Sequence, residues 1–383
     1  MENLFINYSE EVLNRMEYLS NDIRNQALLK FRFFHSGIYI DNCCIQKLKE
    51  AGCRVPSIVR AGASYGIEAL INDSIYVNIP INPHSALKLS SDLKHVLFNN
   101  KIFCKIEILK NPIDLPFYKN GKSINGVSKI CFDRLGITVN TGCYLKEIKK
   151  GCGFCGIDRS NHYNHHVVMQ PGEVLELVDK ALLIPNNGIR HLLLSGGAFQ
   201  PPDYGAKHFS LIAKTIKEKY PNQKIYVMLP PPVSNYYLDE MIHSGVDEIA
   251  LNIELVSNWG RNIIPGKAEI GLERYVDALK YLSYKMPKYS VRSIIMAGVE
   301  DTKYTLNGVE IISSVGAMPI ISYYRQVGDM RIKNIFKDEY EILDLFQSAC
   351  ETAGRNDMII GPTCIPCQNN VIAIPYTKHH LFY

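Results

Sequence analysis

From Gly136 onward the chain repeats one pattern six times, a short apolar run followed by a longer stretch of helical periodicity. The apolar runs at 137–139, 191–194, 224–229, 248–253, 291–296 and 319–323 are rich in Val, Ile and Leu. Runs this short and this uniformly apolar read as strands buried on both faces. Between them, amphipathic stretches at about 171–183, 207–219, 235–244, 270–285 and 305–315 read as helices. Strands joined by helical crossovers pair in parallel, because a parallel connection needs a dozen or more residues. Six such units fit an open, partial (β/α)6 barrel, TIM-like but incomplete. A Rossmann fold is the weaker reading, since no strand runs into a G-x-G-x-x-G turn. The α/β class places functional side chains at the carboxyl ends of the strands.

The flanks have a different texture. Ser9-Glu10-Glu11 precedes Val12, Leu13, Met16 and Leu19 at helical spacing, and a second helical segment runs from about 25 to 34. From Gly37 to Leu135, short β-prone runs at 74–81 and 102–109 lie between turn signals such as Asn72-Asp73 and Asn82-Pro83, with a helix expected at about 85–98. Residues 1–135 thus read as an N-terminal α+β accessory domain, a lid or substrate-binding element. Residues 136–330 form the barrel, and 331–383 supply a helix at about 339–353 and a small cysteine-bearing extension closing it. Basic residues number 42 against 38 acidic, a formal net charge of +4. That excess is too slight to motivate a nucleic-acid partner. The first residues lack the basic start and apolar core of a signal peptide, and no apolar run approaches the roughly 20 residues of a membrane span, so a cytoplasmic protein with no span is expected.

Eleven cysteines in such a chain point to thiolate chemistry rather than a disulfide framework. Cys143, Cys152 and Cys155 follow directly on the first barrel strand, and Gly142, Gly151, Gly153 and Gly156 let their loop curl back on itself. Three thiolates leave one iron of a [4Fe-4S] cluster open to an outside ligand, whereas structural zinc wants four closing ligands. The segment resembles the radical S-adenosylmethionine (SAM) enzymes, whose usual signature is C-x3-C-x2-C with an aromatic residue before the last cysteine. Phe154 holds the aromatic place and the final x2 spacing is kept, but eight residues separate Cys143 from Cys152, making a Cys-x8-Cys-x2-Cys variant.

The resemblance, which covers about residues 136–325, implies that Cys143, Cys152 and Cys155 hold the cluster. It further implies that Ser195, Gly196 and Gly197 approach the methionine amino group of SAM, that Asn252 and Glu254 contact its ribose and amino-acid portions, and that Gly298, Val299 and Glu300 meet adenine. Lys267 or Arg261 is a candidate for the cofactor carboxylate or a substrate anion. The implied activity is reductive cleavage of SAM to a 5′-deoxyadenosyl radical, driven by an external one-electron reductant such as flavodoxin or ferredoxin. Hydrogen is then abstracted from a small or medium-sized organic substrate. A biosynthetic carbon-skeleton reaction is the leading expectation, with sulfur insertion or methylation as the alternative.

Other candidates rest on position alone. Arg292 interrupts an apolar strand and is expected to face the site; Tyr323, Arg325 and Gln326 lie at or just beyond the sixth strand, within reach of substrate. Asp247, Glu248 and Asp329 are candidate proton donors. Cys364 and Cys367, with Cys350, suit an auxiliary iron–sulfur cluster, a zinc ion or a turn at a substrate site; Cys43, Cys44 and Cys53 read as buried or reactive thiols. The rival class is a structural zinc-binding or RNA-associated scaffold, its fourth ligand drawn from Cys131, His162, His165 or His166. No basic stripe or stacking motif supports the RNA version.

Overall fold

The computed structural model describes residues 23–53, 55, 66–110, 113–115, 117–119, 122–124, 126–131, 133–157, 166–184, 188–325 and 332–375. The expected helix around Val12 to Leu19, and His162, His165, Gln326 and Asp329, lie outside them. Two compact units interleave along the sequence: a first of Met1–Asn111, Met296–Val309 and Ile320–Phe382, and a second of Pro112–Ile295 and Glu310–Pro319.

In the first unit, β1 (Gly66–Ile71), β2 (Ile75–Pro80), β3 (Leu87–Leu89), β4 (His95–Phe98) and β5 (Lys101–Ile108) form an antiparallel sheet in the order β2-β1-β5-β4-β3. Among the described residues two helices precede it, Ile23–Ser36 and Asn42–Glu50, the second capped by Asp41, whose side chain accepts from Cys44 N. The helix expected at 85–98 is instead the β3–β4 hairpin. Leu87 and Leu89 are buried while Lys88 between them is exposed, a period of two rather than 3.6. Side chains close the turn: Asp92 Oδ1 accepts from Lys94 N at 2.8 Å, and Ser90 Oγ from His95 N at 3.0 Å. Helix Glu339–Arg355 returns to this unit, setting Phe346 edge-on to Phe31 at 5.5 Å and Glu339 against Arg32 at 2.7 Å.

Among the described residues the larger sheet has eight strands. After β6 (Ile113–Asp114), the small pair β7 (Phe117–Lys119) and β8 (Lys122–Ile124), and β9 (Ser128–Cys131), come β10 (Arg134–Asn140), β11 (His191–Gly196), β12 (Lys224–Met228), β13 (Glu248–Ala250), β14 (Val291–Ala297) and β15 (Met318–Tyr323). The order is β15-β14-β13-β12-β11-β10-β9-β6, with β10 to β14 paired in parallel, β9 antiparallel to β10 and β6 antiparallel to β9. This is the mixed α/β architecture with a partial barrel-like sheet that the repeat pattern predicts. Each crossover helix buries one stripe: Val174, Leu177, Val178 and Ala181 on Pro171–Leu182; Phe209, Ile212, Ala213 and Ile216 on Ala206–Lys219; Tyr275, Ala278, Leu279 and Leu282 on Leu272–Lys285. They close over inward strand residues such as Ile137, Leu192, Leu194 and Val227. Burying each large aliphatic side chain contributes about 1.5–3 kcal/mol. Among the described residues no helix is long and apolar enough to cross a membrane.

Candidate cluster and cofactor site

The cysteine loop leaves β10 at Asn140, a buried amide that ties three segments together. Its Nδ2 donates to Gly197 O at 3.1 Å; its Oδ1 accepts from Gly142 N at 3.0 Å and lies 2.7 Å from His166 Nε2. The sequence reading did not single it out, although a polar residue ending an apolar strand is the signal that finds it. Glycine is required where the loop meets the end of β11. A Cβ on Gly197 would lie 1.6 Å from the Gly142 carbonyl oxygen, and Gly196, at φ 153°, would set one 2.5 Å from Asn140 O.

Backbone bonds pin the rest of the loop. Cys143 caps the short helix Tyr144–Glu147, Tyr144 N donates to Ala198 O at 2.8 Å, Gly153 N to Ile263 O at 2.8 Å, and Gly266 N to Lys150 O at 2.9 Å. Cys155 N donates to Cys152 O at 3.1 Å, and Lys146 Nζ to Cys155 O at 2.9 Å, so Phe154 rides half-buried on a fixed turn between two thiols. Burial pushes the Cys152 thiol up to about 12, with Glu254, Cys155 and Cys143 adding to the shift and Lys267 opposing it. Burial likewise raises Cys155, which also feels Cys143 and Lys267. The three sulfurs therefore share one small electrostatic neighbourhood.

Beside them lies a buried ion pair. Lys267 Nζ donates to Glu254 Oε1 and to Asn252 O, both at 3.0 Å, and the two side chains are only 13% and 11% exposed. Burial is the largest single influence and would lower the Lys267 ammonium, but the Glu254 carboxylate, Tyr275 and Cys152 together outweigh it, and the net shift is upward. Glu254 sits in the left-handed region at φ 69°, a strained conformation for a residue with a side chain. Two bonds to β14 hold it there: Glu254 N donates to Ile294 O at 2.8 Å, and Asn252 Oδ1 accepts from Ile294 N at 3.1 Å. Tyr275, fully buried on the neighbouring helix, completes the group and was not expected from sequence. Thus Cys143, Cys152, Cys155, Asn252, Glu254 and Lys267 come together, with Gly196 and Gly197 packed against the same loop and Ser195 paired with Thr138 on β10.

Residues 137–305 match the family described as Radical SAM superfamily. Over that stretch, under half of the chain, the sequence is similar to the radical SAM superfamily. Lipoyl synthase (chloroplastic) of Ricinus communis is 27% identical over 159 residues, 40% of this chain and 40% of the relative. Lipoyl synthase of Sulfolobus acidocaldarius is 23% identical over 237 residues, 58% of this chain and 79% of the relative. The chain thus spans about two fifths of the first curated relatives it matches, 40% and 37% of their lengths. A solved structure of the FeFe-hydrogenase maturase HydG from Carboxydothermus hydrogenoformans is similar over 60% of this chain and 54% of its own, at 15% identity and a TM-score of 0.42.

A radical SAM domain implies an iron–sulfur cluster and SAM, and the donor set suits them. Three thiols share one loop, and the Gly142–Gly197 contact leaves no room for a side chain. The remaining candidates are placed as follows. Arg292 does not face this loop. It lies at the amino end of β14, its Nη2 paired with Glu248 at the amino end of β13 and its guanidinium 4.8 Å from the centre of the Tyr226 ring. Asp247 is likewise structural in its contacts, bonded by Lys217, Lys224 and Ile225 N. The expected fourth strand, 248–253, stops at Ala250, because Ile253 N turns to Ser293 Oγ and Glu254 leaves extended geometry.

The first unit holds the others. Gly298, at φ 91°, packs a would-be Cβ 2.8 Å from Asn334 Oδ1, and Val299 and Glu300 are buried. Tyr323 ends β15, stacked between Phe34 at 5.6 Å and Phe336 at 6.0 Å, and Arg325 follows it. Cys364 and Cys367 are buried on one turn, Cys367 N donating to Cys364 O at 3.1 Å, and Cys350 is buried on helix Glu339–Arg355. Cys44 and Cys53 are buried and Cys43 is exposed.

Proposed function

We propose that this protein is a radical SAM enzyme of biosynthesis in which Cys143, Cys152 and Cys155 hold a [4Fe-4S] cluster. The observation that carries the reading is the three-thiol loop at the end of β10, inside the segment that matches the Radical SAM superfamily. When bound, the cluster and SAM supply a 5′-deoxyadenosyl radical by one-electron cleavage of a carbon–sulfur bond, the electron coming from a flavodoxin- or ferredoxin-type donor. The chain's own residues prepare the site. Gly196 and Gly197 let backbone come close to the cofactor's polar end, the Lys267–Glu254 pair holds a fixed charge beside Cys152, and Asn252 locks that pair to β14. Gly298, Val299 and Glu300 are assigned to the adenine. Anaerobic reconstitution is expected to give about four irons bound by the three thiols and reductant-dependent 5′-deoxyadenosine. A fully reconstituted sample that fails to bind SAM overturns the reading, and Cys155→Ala is expected to lose the cluster.

For the downstream step, the relatives favour sulfur insertion over the carbon-skeleton reaction expected from sequence: several of them are lipoyl synthases, from plant and archaeal sources. The buried pair Cys364 and Cys367 on one turn supplies two thiols for a second, sulfur-donating cluster. Iron and sulfide in excess of one four-iron cluster, lost in Cys364→Ala with the first cluster retained, support sulfur insertion. A competent enzyme with a single cluster returns the assignment to carbon-skeleton chemistry.

A further inference from the structure

In the first unit Lys30 is buried and Arg325 half-buried, and among the described residues neither is in ion-pair contact with a carboxylate. Lys30 is 1% exposed, and its ammonium donates only to main-chain oxygens, Gln368 O at 2.6 Å and Ala373 O at 2.5 Å. Arg325, two residues past β15, donates from Nη1 to Asn78 Oδ1 and from Nη2 to Asn78 O, both at 2.6 Å. Both stand on one ring: Lys30 Nζ is 5.5 Å and Arg325 Cζ 5.1 Å from the centre of Phe34. Near Arg325 lies the Glu68 carboxylate, 3% exposed, which accepts from Asn78 Nδ2 at 2.8 Å and Asn369 Nδ2 at 3.0 Å. The Asn78 amide thus stands between Glu68 and Arg325, one end bonded to each. Burial lowers both cations from their ordinary values, and Lys30 is lowered further by Arg325 itself.

Among the described residues these two groups have one amide-held carboxylate beside them, so with both protonated one positive charge is in excess. Uncompensated charge of this kind is costly unless an anion completes it. The excess is single, which suits a monoanion. The neighbourhood is apolar and aromatic, Phe34, Tyr323 and Phe336 lying face to face. We propose that Lys30 and Arg325 form a binding site for the carboxylate of an organic acid whose apolar body lies along these rings. Arg325, the more exposed of the two cations, makes the direct contact through the edge of its guanidinium not held by Asn78, and a bound carboxylate beside it favours the protonated form of Lys30. That the acid is the substrate of the radical chemistry rests on the function proposed above; that an acid binds does not.

The test uses the full chain, with hexanoate as probe and hexanamide as its neutral isostere, at constant ionic strength in chloride. Hexanoate is expected to bind by calorimetry and raise the thermal midpoint with concentration, while hexanamide does neither. Arg325→Gln is expected to weaken hexanoate about tenfold or more, the loss of a charged hydrogen bond. Glu68→Gln, which removes the competing negative charge, is expected to tighten it. Equal protection by hexanamide, by chloride or by inorganic phosphate overturns the proposal, as does unchanged affinity in Arg325→Gln. Should that variant not fold, unchanged or weaker binding in Glu68→Gln overturns it instead. Cys155→Ala, which cannot hold the cluster, is expected to bind hexanoate like the parent. The acid site is thereby read with the radical chemistry switched off, so failure of one leaves the other standing.

Discussion

Gly197 is the position where one added carbon decides most. A methyl group there overlaps the Gly142 carbonyl oxygen at 1.6 Å, and that oxygen belongs to the backbone leading into Cys143, so the loop itself must move. Gly197→Ala is therefore expected to lose most of its bound iron after reconstitution while keeping its far-ultraviolet circular dichroism. Gly156→Ala, with nothing within 4 Å of the new carbon, is expected to keep its iron. Iron analysis of the two variants makes the comparison. Glycine and cysteine at this site are legible in sequence because their meaning is local: spacing fixes which thiols share a loop. Arg292 shows where local reading stops. A charge in an apolar strand announces a partner without saying which end of the sheet it occupies, and the partner, Glu248, sits on a different strand. Arg292→Met removes the cation bonded to that buried carboxylate, at an expected cost of about 3–5 kcal/mol. Urea denaturation is expected to show the loss, and iron content to stay unchanged, since the pair is remote from the thiols along its strands.

At the scale of elements, the six strands are readable because a parallel sheet buried on both faces leaves near-continuous apolar runs. The irregular ends are not, and they carry the site. Composition continues β13 to Ile253, yet the strand ends at Ala250 and a side chain takes over from the ladder, Asn252 Oδ1 accepting from Ile294 N. Asn252→Ala strands that amide in the sheet, with an expected cost of about 1–3 kcal/mol. Faster hydrogen exchange at Ile294 is the specific readout, and Asn252→Asp, which keeps an acceptor, is expected to restore protection. The helix expected at 85–98 gives way to the β3–β4 hairpin for a related reason. Ser90 and Asp92 read as ordinary polar helix residues until their side chains are seen bonding His95 N and Lys94 N, which converts the stretch into a turn between two short strands.

At the scale of the whole chain, the family match and the acid site occupy different stretches of sequence. The matched segment ends at residue 305, whereas Lys30, Glu68, Asn78 and Arg325 come from stretches outside it that fold into one unit. No local pattern marks this return: Arg32 and Glu339 meet across a separation of 307 residues, and neither helix carries a sign of the other beyond an apolar stripe. The likeness to radical SAM proteins can therefore speak for the cluster and say nothing of what Lys30 and Arg325 bind. The joint between the two helices tests that division. Phe346 is fully buried and meets Phe31 at 5.5 Å, next to the ring of Phe34 that carries both cations. Phe346→Ala opens a cavity there, at an expected cost of about 3–5 kcal/mol. Because Lys30 reaches its carbonyl partners from the helix so loosened, hexanoate binding is expected to weaken with stability in calorimetry. Iron bound by Cys143, Cys152 and Cys155 is expected to stay at the parent level, since the second unit builds that loop from its own residues. Loss of iron with acid binding intact would reverse the assignment of the two tasks to the two stretches.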